Sequence, residues 1–386
     1  MALCFNHAPY VLECLQSISA QTYGNSEIIV LDNGSDDGSQ EVIQQWAAQA
    51  NGPVKLLMET QRRGICANIN LMLSHATGDY VALIAADDYW LPEKTSRQVE
   101  ILEKLGTPYA VAYADALCID AQGQVMEPAS FIKTHRQFET LPTGDLLHEL
   151  LRGPFIPTMS TMIRRSALLA MGPYDESLIY EDYDAWLRLA EHWHFHADPT
   201  PLCAYRILNS SMIRTIAAQD KPEKILSDAR IMAKAATIPR LEEKSRTNTK
   251  RRIISLAIKL ITLPGNWHDA LSDLQRRTNL STLSLLAAAQ KYRKHLSAED
   301  SHRLLANAIT HGFLPASENA AQPKAVTNLL NERDPKRPAP RQLLSLPEGH
   351  DTTAWEQLYI RLEREANAAA QPSPPARKSW WKLGLG

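Results

Sequence analysis

In the first half of the chain, short apolar runs alternate with longer stretches whose apolar residues recur at helical spacing. The runs Glu27–Leu31 and Tyr80–Ala85 are almost continuously apolar, as expected of strands that are buried on both faces. In Pro9–Ser19, by contrast, the apolar residues fall on one side of a helix. We predict strands at Ala2–Phe5, Glu27–Leu31, Val54–Met58, Tyr80–Ala85 and Tyr109–Cys118, and helices at Pro9–Ser19, Ser39–Ala48, Ile65–Ser74 and from Pro92 to Gly106. This alternation predicts an α/β fold in which flanking helices cover a mostly parallel sheet.

From about residue 217 the pattern changes, because strand signals disappear and helical spacing dominates. The predicted helices of this half are Pro222–Ala236, Asn248–Leu263, Trp267–Arg277, Ser281–His295, Ala298–His311 and Thr353–Ala369. We therefore predict an α/β domain at residues 1–215 and a mainly α-helical domain at 216–333. Residues 334–386 would form a Pro-rich linker, a short helix and a basic, aromatic tail.

The composition excludes several classes of protein. A formal net charge of -2 lacks the strong positive charge of a nucleic-acid binder, so no nucleic-acid partner is expected. The 5 cysteines are scattered without a CxxC pair, which argues against a zinc site or a disulfide framework and favours buried free thiols. No apolar run approaches the length of a membrane span, and we expect a cytoplasmic protein.

Acidic residues follow two of the predicted strands. Asp32 comes directly after Glu27–Leu31, and Asp87 and Asp88 come after Tyr80–Ala85. In open parallel sheets, ligands bind beyond the carboxyl ends of the strands, so these aspartates are candidates for a site. Adjacent carboxylates repel each other, and a divalent cation such as Mn²⁺ or Mg²⁺ would offset that repulsion and bridge to phosphate. A solvated turn or a cap of the next helix would give the same pattern, so both interpretations stay open.

A second acidic cluster, Glu181-Asp182-Tyr183-Asp184, leads into an apolar helical stretch. Acidic side chains are stabilised at a helix N-terminus by the helix dipole, which is a purely structural explanation. One of these carboxylates could instead act as a general base and take the proton from an attacking hydroxyl. The cluster alone fits both interpretations.

Several short segments of the first half occur in a characteristic order. They are Phe5–Val11, Gln21–Tyr23, Glu27–Ser39, Arg63–Asn70, Gly78–Tyr80, Ala86–Pro92, Gly172–Glu176, Glu181–Arg188, Tyr205–Arg206 and Asn209–Ser210. In order and content, over Ala2–Met212, they resemble glycosyltransferase family 2 proteins of the bacterial polysaccharide and cell-surface type, which have the Rossmann-like GT-A fold. No single segment is decisive, but their joint order is specific.

The resemblance implies an inverting glycosyltransferase, which would move a sugar from a nucleotide sugar, a UDP-sugar, to an acceptor hydroxyl by a single displacement. It implies that Asp182 is the catalytic base, with Glu181 beside it. The residues implied to bind the nucleotide sugar are Asn6, Asp32, Asn33, Arg63, Asp87 and Arg206, with Asp32 and Asn33 at the base and Arg206 at the diphosphate. Asp87 and Asp88 would hold Mn²⁺ or Mg²⁺. The acceptor would be a glycan or a lipid-linked acceptor in cell-surface polysaccharide or glycoconjugate synthesis.

The chain departs from the family pattern at four places. The first acid of the family's DxD motif is Ala85 here, which leaves the metal shell to the two aspartates that follow. Asn33 stands where a second aspartate is frequent, and Leu208 stands where the closing loop usually carries a histidine. Only Ala2–Phe5 remains for the first strand, where the family has a longer one, which fits a shortened start with lower stability.

Two other functions compete with this interpretation. A GT-A-fold binding or scaffold subunit, catalytically weak or inactive, would also explain the altered DxD motif, although a scaffold has no need of a base at Asp182. A nucleotidyltransferase also uses acidic strand ends and a metal. The segment Asn6-His7-Ala8-Pro9, however, lacks the glycine-rich, basic phosphate loop expected of one.

The C-terminal tail combines cations with two tryptophans at Arg377–Lys382. This composition suits a peripheral contact with the inner face of a membrane, and it equally suits a frayed terminus. The helix Lys250–Leu263, basic at its start and apolar after it, fits core packing in a helical domain better than it fits a membrane surface.

Overall fold

The computed structural model describes residues 1–136, 138–209, 221–262, 273–274 and 276–277. The chain divides into two compact units, residues 1–219 and residues 220–385. In chain order the strands are β1 (Ala2–Cys4), β2 (Ile28–Asn33), β3 (Val54–Glu59), β4 (Tyr80–Val81), β5 (Ile84–Ala85), β6 (Tyr89–Trp90), β7 (Tyr109–Ile119), β8 (Val125–Ser130), β9 (Met162–Arg164) and β10 (His194–Arg206). The helices of the first unit are α1 (Val11–Ser19), α2 (Ser39–Ala47), α3 (Ile65–His75), α4 (Lys94–Leu105), α5 (Phe131–His135), α6 (Leu147–Leu150), α7 (Arg165–Met171) and α8 (Asp182–Ala190).

The first sheet, sheet A, has four parallel strands in the order β3-β2-β1-β5. Cys4 pairs with Asp32, and Leu3 pairs with Ala85. This register brings the carboxyl ends of β1, β2 and β5 to one edge of the sheet. The acidic residues at the end of β2 and after β5 therefore lie at that edge, as the alternation of strands and helices predicts.

Helix α1 covers sheet A with most of the face that the sequence pattern predicts, except that Leu12, expected on that face, is exposed. Its buried residues are Val11, Cys14, Leu15 and Ile18, which recur at helical spacing. They belong to a core that also includes Trp46 of α2 and buried residues of β1, β2 and β5. The edge of sheet A is thus a rigid support for the loops that follow its strands.

A second sheet, sheet B, was not predicted from the sequence. It runs in the order β4-β9-β7-β10-β6, with β8 paired to β7, and most of its pairs are antiparallel. The single strand predicted at Tyr80–Ala85 is wrong. Val81 pairs with Ile163 in sheet B, whereas Ile84 pairs with Ala2 in sheet A. Because the run is apolar throughout, its pattern does not mark the point where the pairing changes from one sheet to the other.

The described part of the second unit is helical. Its two helices are α9 (Pro222–Ala236) and α10 (Glu243–Thr262), and α9 has the predicted bounds. Arg246 of α10 donates hydrogen bonds to carbonyls around the C-terminus of α9, those of Ile238 at 3.0 Å and Leu241 at 3.1 Å among them. A cation is favourable there because the helix dipole leaves its C-terminus negative.

Several predictions for the second half lie outside the described residues. They are the helices at Ser281–His295, Ala298–His311 and Thr353–Ala369, most of the helix at Trp267–Arg277, the Pro-rich linker at 334–340 and the tail at 377–382. Within the part of the chain that the structure describes, no helix is both long enough and apolar enough to cross a membrane.

Candidate functional site

The acidic pair Asp87–Asp88 lies in the turn between β5 and β6, at the edge of sheet A. Asp88 is buried, and its carboxylate accepts a hydrogen bond from the backbone N–H of Arg206 at 2.8 Å. Burial, together with the charge of Asp87, raises the pKa of Asp88 well above its ordinary value. An anionic Asp88 therefore needs more positive charge nearby than Arg206 alone supplies.

Asp87 is the more open member of the pair. Its carboxylate Oδ1 lies 3.8 Å from Nδ1 of His7, and within the described residues no donor forms a hydrogen bond to it. The His7 Nδ1 atom is itself buried, and no hydrogen-bond partner reaches it in that same part of the chain. Two polar groups that face each other without a bond mark a place where a third group fits.

Arg206 is buried behind the acidic pair at the end of β10. Its guanidinium donates to the carbonyls of Asp87 at 2.8 Å, Asp120 at 3.1 Å and Ala121 at 3.3 Å, and to the carboxylate of Glu13. It also lies over the ring of Tyr10, 4.7 Å from the centroid. The sequence places Arg206 at the diphosphate. In the structure its donors are committed to protein oxygens, so it braces the loops around Asp87 and adds positive charge beside both aspartates.

Asp32 and Asn33 order the loop that follows β2. The carboxylate of Asp32 is fully buried and accepts hydrogen bonds from the N–H of Ser35 at 2.8 Å, the hydroxyl of Ser35 at 2.6 Å and Nε2 of Gln40 at 2.7 Å. The Asn33 amide exchanges two hydrogen bonds with the backbone of Arg63, at 2.8 and 3.0 Å. Both side chains therefore shape the loops in which a nucleotide base would be read.

Asn6 joins the loop after β1 to the loop after β2. Its backbone has a φ of 55°, a left-handed conformation that residues other than glycine rarely adopt. Its side-chain amide exchanges hydrogen bonds with Asp36 at 2.9 and 3.0 Å, and its N–H donates to the hydroxyl of Ser35. The side chain of Arg63, by contrast, is about half exposed and pairs with Glu59 at 3.0 Å. Asn6 is thus part of a hydrogen-bonded loop, whereas the side chain of Arg63 is largely exposed to solvent.

Glu181 and Asp182 begin helix α8, as the sequence predicts for an acidic cluster at a helix start. Asp182 is the first helical residue, where the positive end of the helix dipole favours a negative charge. Glu181 is partly buried and accepts a hydrogen bond from the hydroxyl of Thr158 at 3.2 Å. Burial, together with the charge of Asp182, raises the pKa of Glu181 to about 7. Glu181 is therefore only partly ionised near neutral pH.

The residues around Asp87 offer too few ligands to enclose a cation, so phosphate oxygens would have to complete the coordination shell of the ion. In the described residues there is no group of three or more histidine, cysteine or acidic side chains that would enclose a metal. Magnesium sites of enzymes that bind phosphate compounds often use only one or two carboxylates and leave the rest to phosphate and water. The unbonded carboxylate of Asp87 beside the buried Nδ1 of His7 is the place that fits such an open shell.

A small cavity, mostly apolar in its lining, borders Glu181 and Asp182. Thr158, Tyr174 and Trp186 also line it, whereas Asp87 and Asp88 do not. Because this space is small, mostly apolar and not lined by the acidic pair, it does not suit a diphosphate.

Some residues of the site were not predicted from the sequence. His7 and Glu13 lie within or just after the first loop, but nothing in their spacing marks their contacts with Asp87 and Arg206. The five cysteines are all buried, as predicted.

The chain was compared with protein families and with curated relatives. The model of the family described as "Glycosyl transferase family 2" matches residues 3–170. A "Putative glycosyltransferase EpsE" of Bacillus subtilis is 30% identical over 190 residues, which cover 48% of this chain and 64% of that protein. An uncharacterized glycosyltransferase of Methanocaldococcus jannaschii is 28% identical over 203 residues, 52% of this chain and 67% of that protein. The chain thus spans a little less than two thirds of EpsE.

The solved structures bear on the fold alone. TarS of S. aureus, crystallised with UDP-GlcNAc, gives a TM-score of 0.54 at 14% sequence identity, over 81% of this chain and 91% of that one. The same protein without that ligand gives a TM-score of 0.51. This likeness, with the parallel sheet A and its covering helices, confirms the predicted GT-A fold.

Proposed function

We propose that the chain, whose residues 3–170 match the model of glycosyl transferase family 2, moves a sugar from a nucleoside diphosphate sugar to an acceptor hydroxyl. The observation that carries the proposal is the acidic pair at the carboxyl edge of sheet A. The Asp87 carboxylate there has no hydrogen bond from the described residues and faces the buried Nδ1 of His7. A diphosphate with a bound cation would supply the partners that both groups lack.

The nucleotide would lie along the loops after β1 and β2. Asn6, Asp32 and Asn33 hold these two loops in one conformation through their hydrogen bonds. Such a fixed loop is what base recognition requires, because a preformed site loses little entropy when the ligand binds. TarS binds UDP-GlcNAc in its crystal, and a UDP-sugar is accordingly the donor that we propose.

Asp87, with Asp88 behind it, would hold a Mn²⁺ or Mg²⁺ ion against the diphosphate. When bound, such a cation neutralises the charge that develops on a departing diphosphate. Arg206 contributes to the same site without touching the donor, since its backbone N–H and its guanidinium hold the two aspartates in place.

Asp182 is the proposed general base. Burial and the charge of Asp182 leave Glu181 partly protonated near neutral pH, and the helix dipole stabilises a negative charge at Asp182, the first residue of α8. The acceptor hydroxyl would pass its proton to Asp182 as its oxygen forms a bond to the anomeric carbon. The bond from that carbon to the diphosphate oxygen breaks at the same time, and the electron pair leaves with the diphosphate. A single displacement of this kind inverts the anomeric configuration.

The acceptor would be a glycan or a lipid-linked glycan of the cell surface. This part of the proposal follows from the kind of family member that the first half of the chain resembles.

A scaffold subunit without turnover is the second candidate. It is favoured by one observation, the exposed Ala85 at the place of the first DxD acid. In a glycosyltransferase the carboxylate of Asp182 is required for turnover, whereas in a scaffold it contributes only to folding.

The test that separates them is Asp182→Asn, measured with the donor that binds. We expect the variant to bind the nucleotide as the wild type does and to transfer sugar several orders of magnitude more slowly, because the base is lost while the charge at the donor site is kept. Asp79→Asn, which changes an exposed carboxylate before β4, is the matched control. If Asp182→Asn turns over as fast as the control, Asp182 is not the base.

A further inference from the structure

A short turn at residues 157–161 has all of its backbone carbonyls hydrogen-bonded. It contains the 3₁₀ helix Thr158–Ser160. The carbonyl of Pro157 accepts the N–H of Ser160 at 3.0 Å, and that of Thr158 accepts the N–H of Thr161 at 3.1 Å. These two bonds form within the turn and would occur in any such turn. The other three carbonyls are bonded from outside it.

The three outside donors come from the segment that directly follows Asp87–Asp88. They are the indole N–H of Trp90 on the carbonyl of Met159 at 2.9 Å, the Gln98 amide on that of Ser160 at 2.6 Å, and the Lys94 ammonium on that of Thr161 at 2.9 Å. The donors are spaced four residues apart, so β6 and the first turns of α4 present one row of side chains to the 157–161 turn. Three side chains on three successive carbonyls fix both the position and the orientation of the turn.

Lys94 is the least expected member of this row, because its side chain is fully buried. It donates to Oε1 of Gln98 at 2.9 Å and lies over the ring of Trp90, 4.4 Å from the centroid. Within the described residues it forms no ion pair, and burial lowers its pKa to about 7. Burying a cation without an anionic partner costs stability. A residue kept at that cost is expected to serve something other than stability.

On its other side the turn is bonded to the start of α8. The Thr158 hydroxyl donates to Glu181 at 3.2 Å. The indole of Trp186, one helical turn after Asp182, donates to the carbonyl of Ile156 at 3.3 Å. The 157–161 turn is therefore hydrogen-bonded both to the segment that carries the donor-side acids and to the helix that carries the acceptor-side acids.

We propose that Lys94 and Gln98 are positioning residues that hold Glu181 in place through the 157–161 turn and the hydroxyl of Thr158. The inference rests on the proposed function, in which Asp182, the residue next to Glu181, is the base that takes the proton of the acceptor. A transfer requires the base to lie within hydrogen-bond reach of the attacking hydroxyl, and a misplacement of about 1 Å costs about 100-fold in rate. A rigid connection between the two pairs of acids sets that distance.

The test compares Lys94→Met, Gln98→Leu and Thr158→Val with Lys104→Met, an exposed lysine of the same helix. The reaction is release of UDP from a UDP-sugar, with water or sugar as acceptor. We expect each of the three variants to lower kcat at least tenfold, with the Kd for UDP within twofold of the control. Thr158→Ser keeps the hydroxyl and should restore kcat. The double variant Lys94→Met with Thr158→Val should be no slower than the slower single variant, because both act along one path.

A second measurement does not depend on turnover. The titration of the Glu181 carboxyl is followed by ¹³C NMR and assigned by its loss in Glu181→Gln. Because the Thr158 hydrogen bond lowers the pKa of Glu181 against the effect of burial, Thr158→Val should raise that pKa, and Lys94→Met and Gln98→Leu should raise it too.

If the three variants lower the melting temperature while their kcat equals that of Lys104→Met and the pKa of Glu181 is unchanged, the turn is only structural and the inference is wrong. If Lys94→Met does not fold, Gln98→Leu and Thr158→Val decide the question. If the wild type has no turnover with any donor, the proposed function fails, and the NMR titration still decides whether Lys94 and Gln98 position Glu181.

Discussion

Replacing Glu181 by glutamine should change how the stability of the first unit depends on pH. Burial and the charge of Asp182 raise the pKa of Glu181 from 4.5 to about 7 in the folded protein. Between these two values the folded protein keeps a proton that the unfolded chain has lost. Stability therefore falls as the pH rises through this window, and it rises again as the pH falls.

The size of the effect follows from the two pKa values. A tenfold change in a proton equilibrium is worth about 1.4 kcal/mol, so the rise from 4.5 to about 7 corresponds to at most about 3 kcal/mol. The full cost is present above about pH 7 and absent below about pH 4.5. Glutamine has the same shape, carries no charge and keeps an oxygen for the Thr158 hydroxyl, so Glu181→Gln should remove this dependence alone.

The assay is urea unfolding of the wild type and Glu181→Gln at several values between about pH 5 and about pH 8. The stability of the wild type minus that of the variant should decline by up to about 3 kcal/mol from the acid to the neutral end. Glu100→Gln, which changes an exposed glutamate of α4, is the matched control and should give a flat difference. A flat difference for Glu181→Gln would mean that Glu181 does not hold the proton, and that burial beside Asp182 does not raise its pKa.

Two further variants test the donor side. Asp87→Ala should abolish metal-dependent nucleotide binding and leave the fold intact, because no hydrogen bond from the described residues ends on this carboxylate. Calorimetric titration with and without Mn²⁺ measures this, and unchanged metal dependence would move the cation elsewhere. Arg206→Met should lower the free energy of unfolding by about 3–5 kcal/mol, since it removes the cation beside the buried Asp88 and leaves several carbonyls without their donor. If Arg206→Met has the same urea midpoint of unfolding as the wild type, Arg206 does not stabilise these loops.

The sequence predicts best where burial and periodicity coincide. In α1 the buried residues recur at helical spacing, so the helix and most of its buried face were predicted correctly. Leu12, which the pattern also placed on that face, is exposed, and Cys14 is buried instead. The strand at Glu27–Leu31 was predicted because it is apolar on both faces, and in the structure β2 continues through Asp32 and Asn33. The helix predicted from Pro92 to Gly106 forms as Lys94–Leu105.

Prediction fails where long-range pairing decides the structure. Nothing local in Tyr80–Ala85 shows that its first half pairs with β9 and its second half with β1. Sheet B was missed for the same reason, because all of its paired strands except β7 and β8 lie far apart in the chain. Its longest strand, β10, crosses a register shift between Asp198 and Cys203, which interrupts the alternation that would mark a strand.

The candidate site shows the same division. The acidic residues were found because they follow the ends of predicted parallel strands, where such sheets bind ligands, or begin a predicted helix. Arg206 was assigned to the diphosphate by resemblance, and its contacts with Asp87, Asp120 and Glu13 could not be foreseen, because they join residues more than eighty positions apart. The roles of the individual site residues stay predictions until variants are measured.

The most direct test of the proposed function is thermal unfolding of the full chain with UDP, GDP, dTDP or CMP, each with and without Mn²⁺. A ligand that binds only the folded protein, at about a hundred times its dissociation constant, adds about 2.7 kcal/mol and gives a clear rise in melting temperature. We predict stabilisation by UDP that requires the cation and is lost in Asp87→Ala. The absence of a shift with every nucleotide, with or without Mn²⁺, would contradict a donor site at the edge of sheet A and would favour the scaffold.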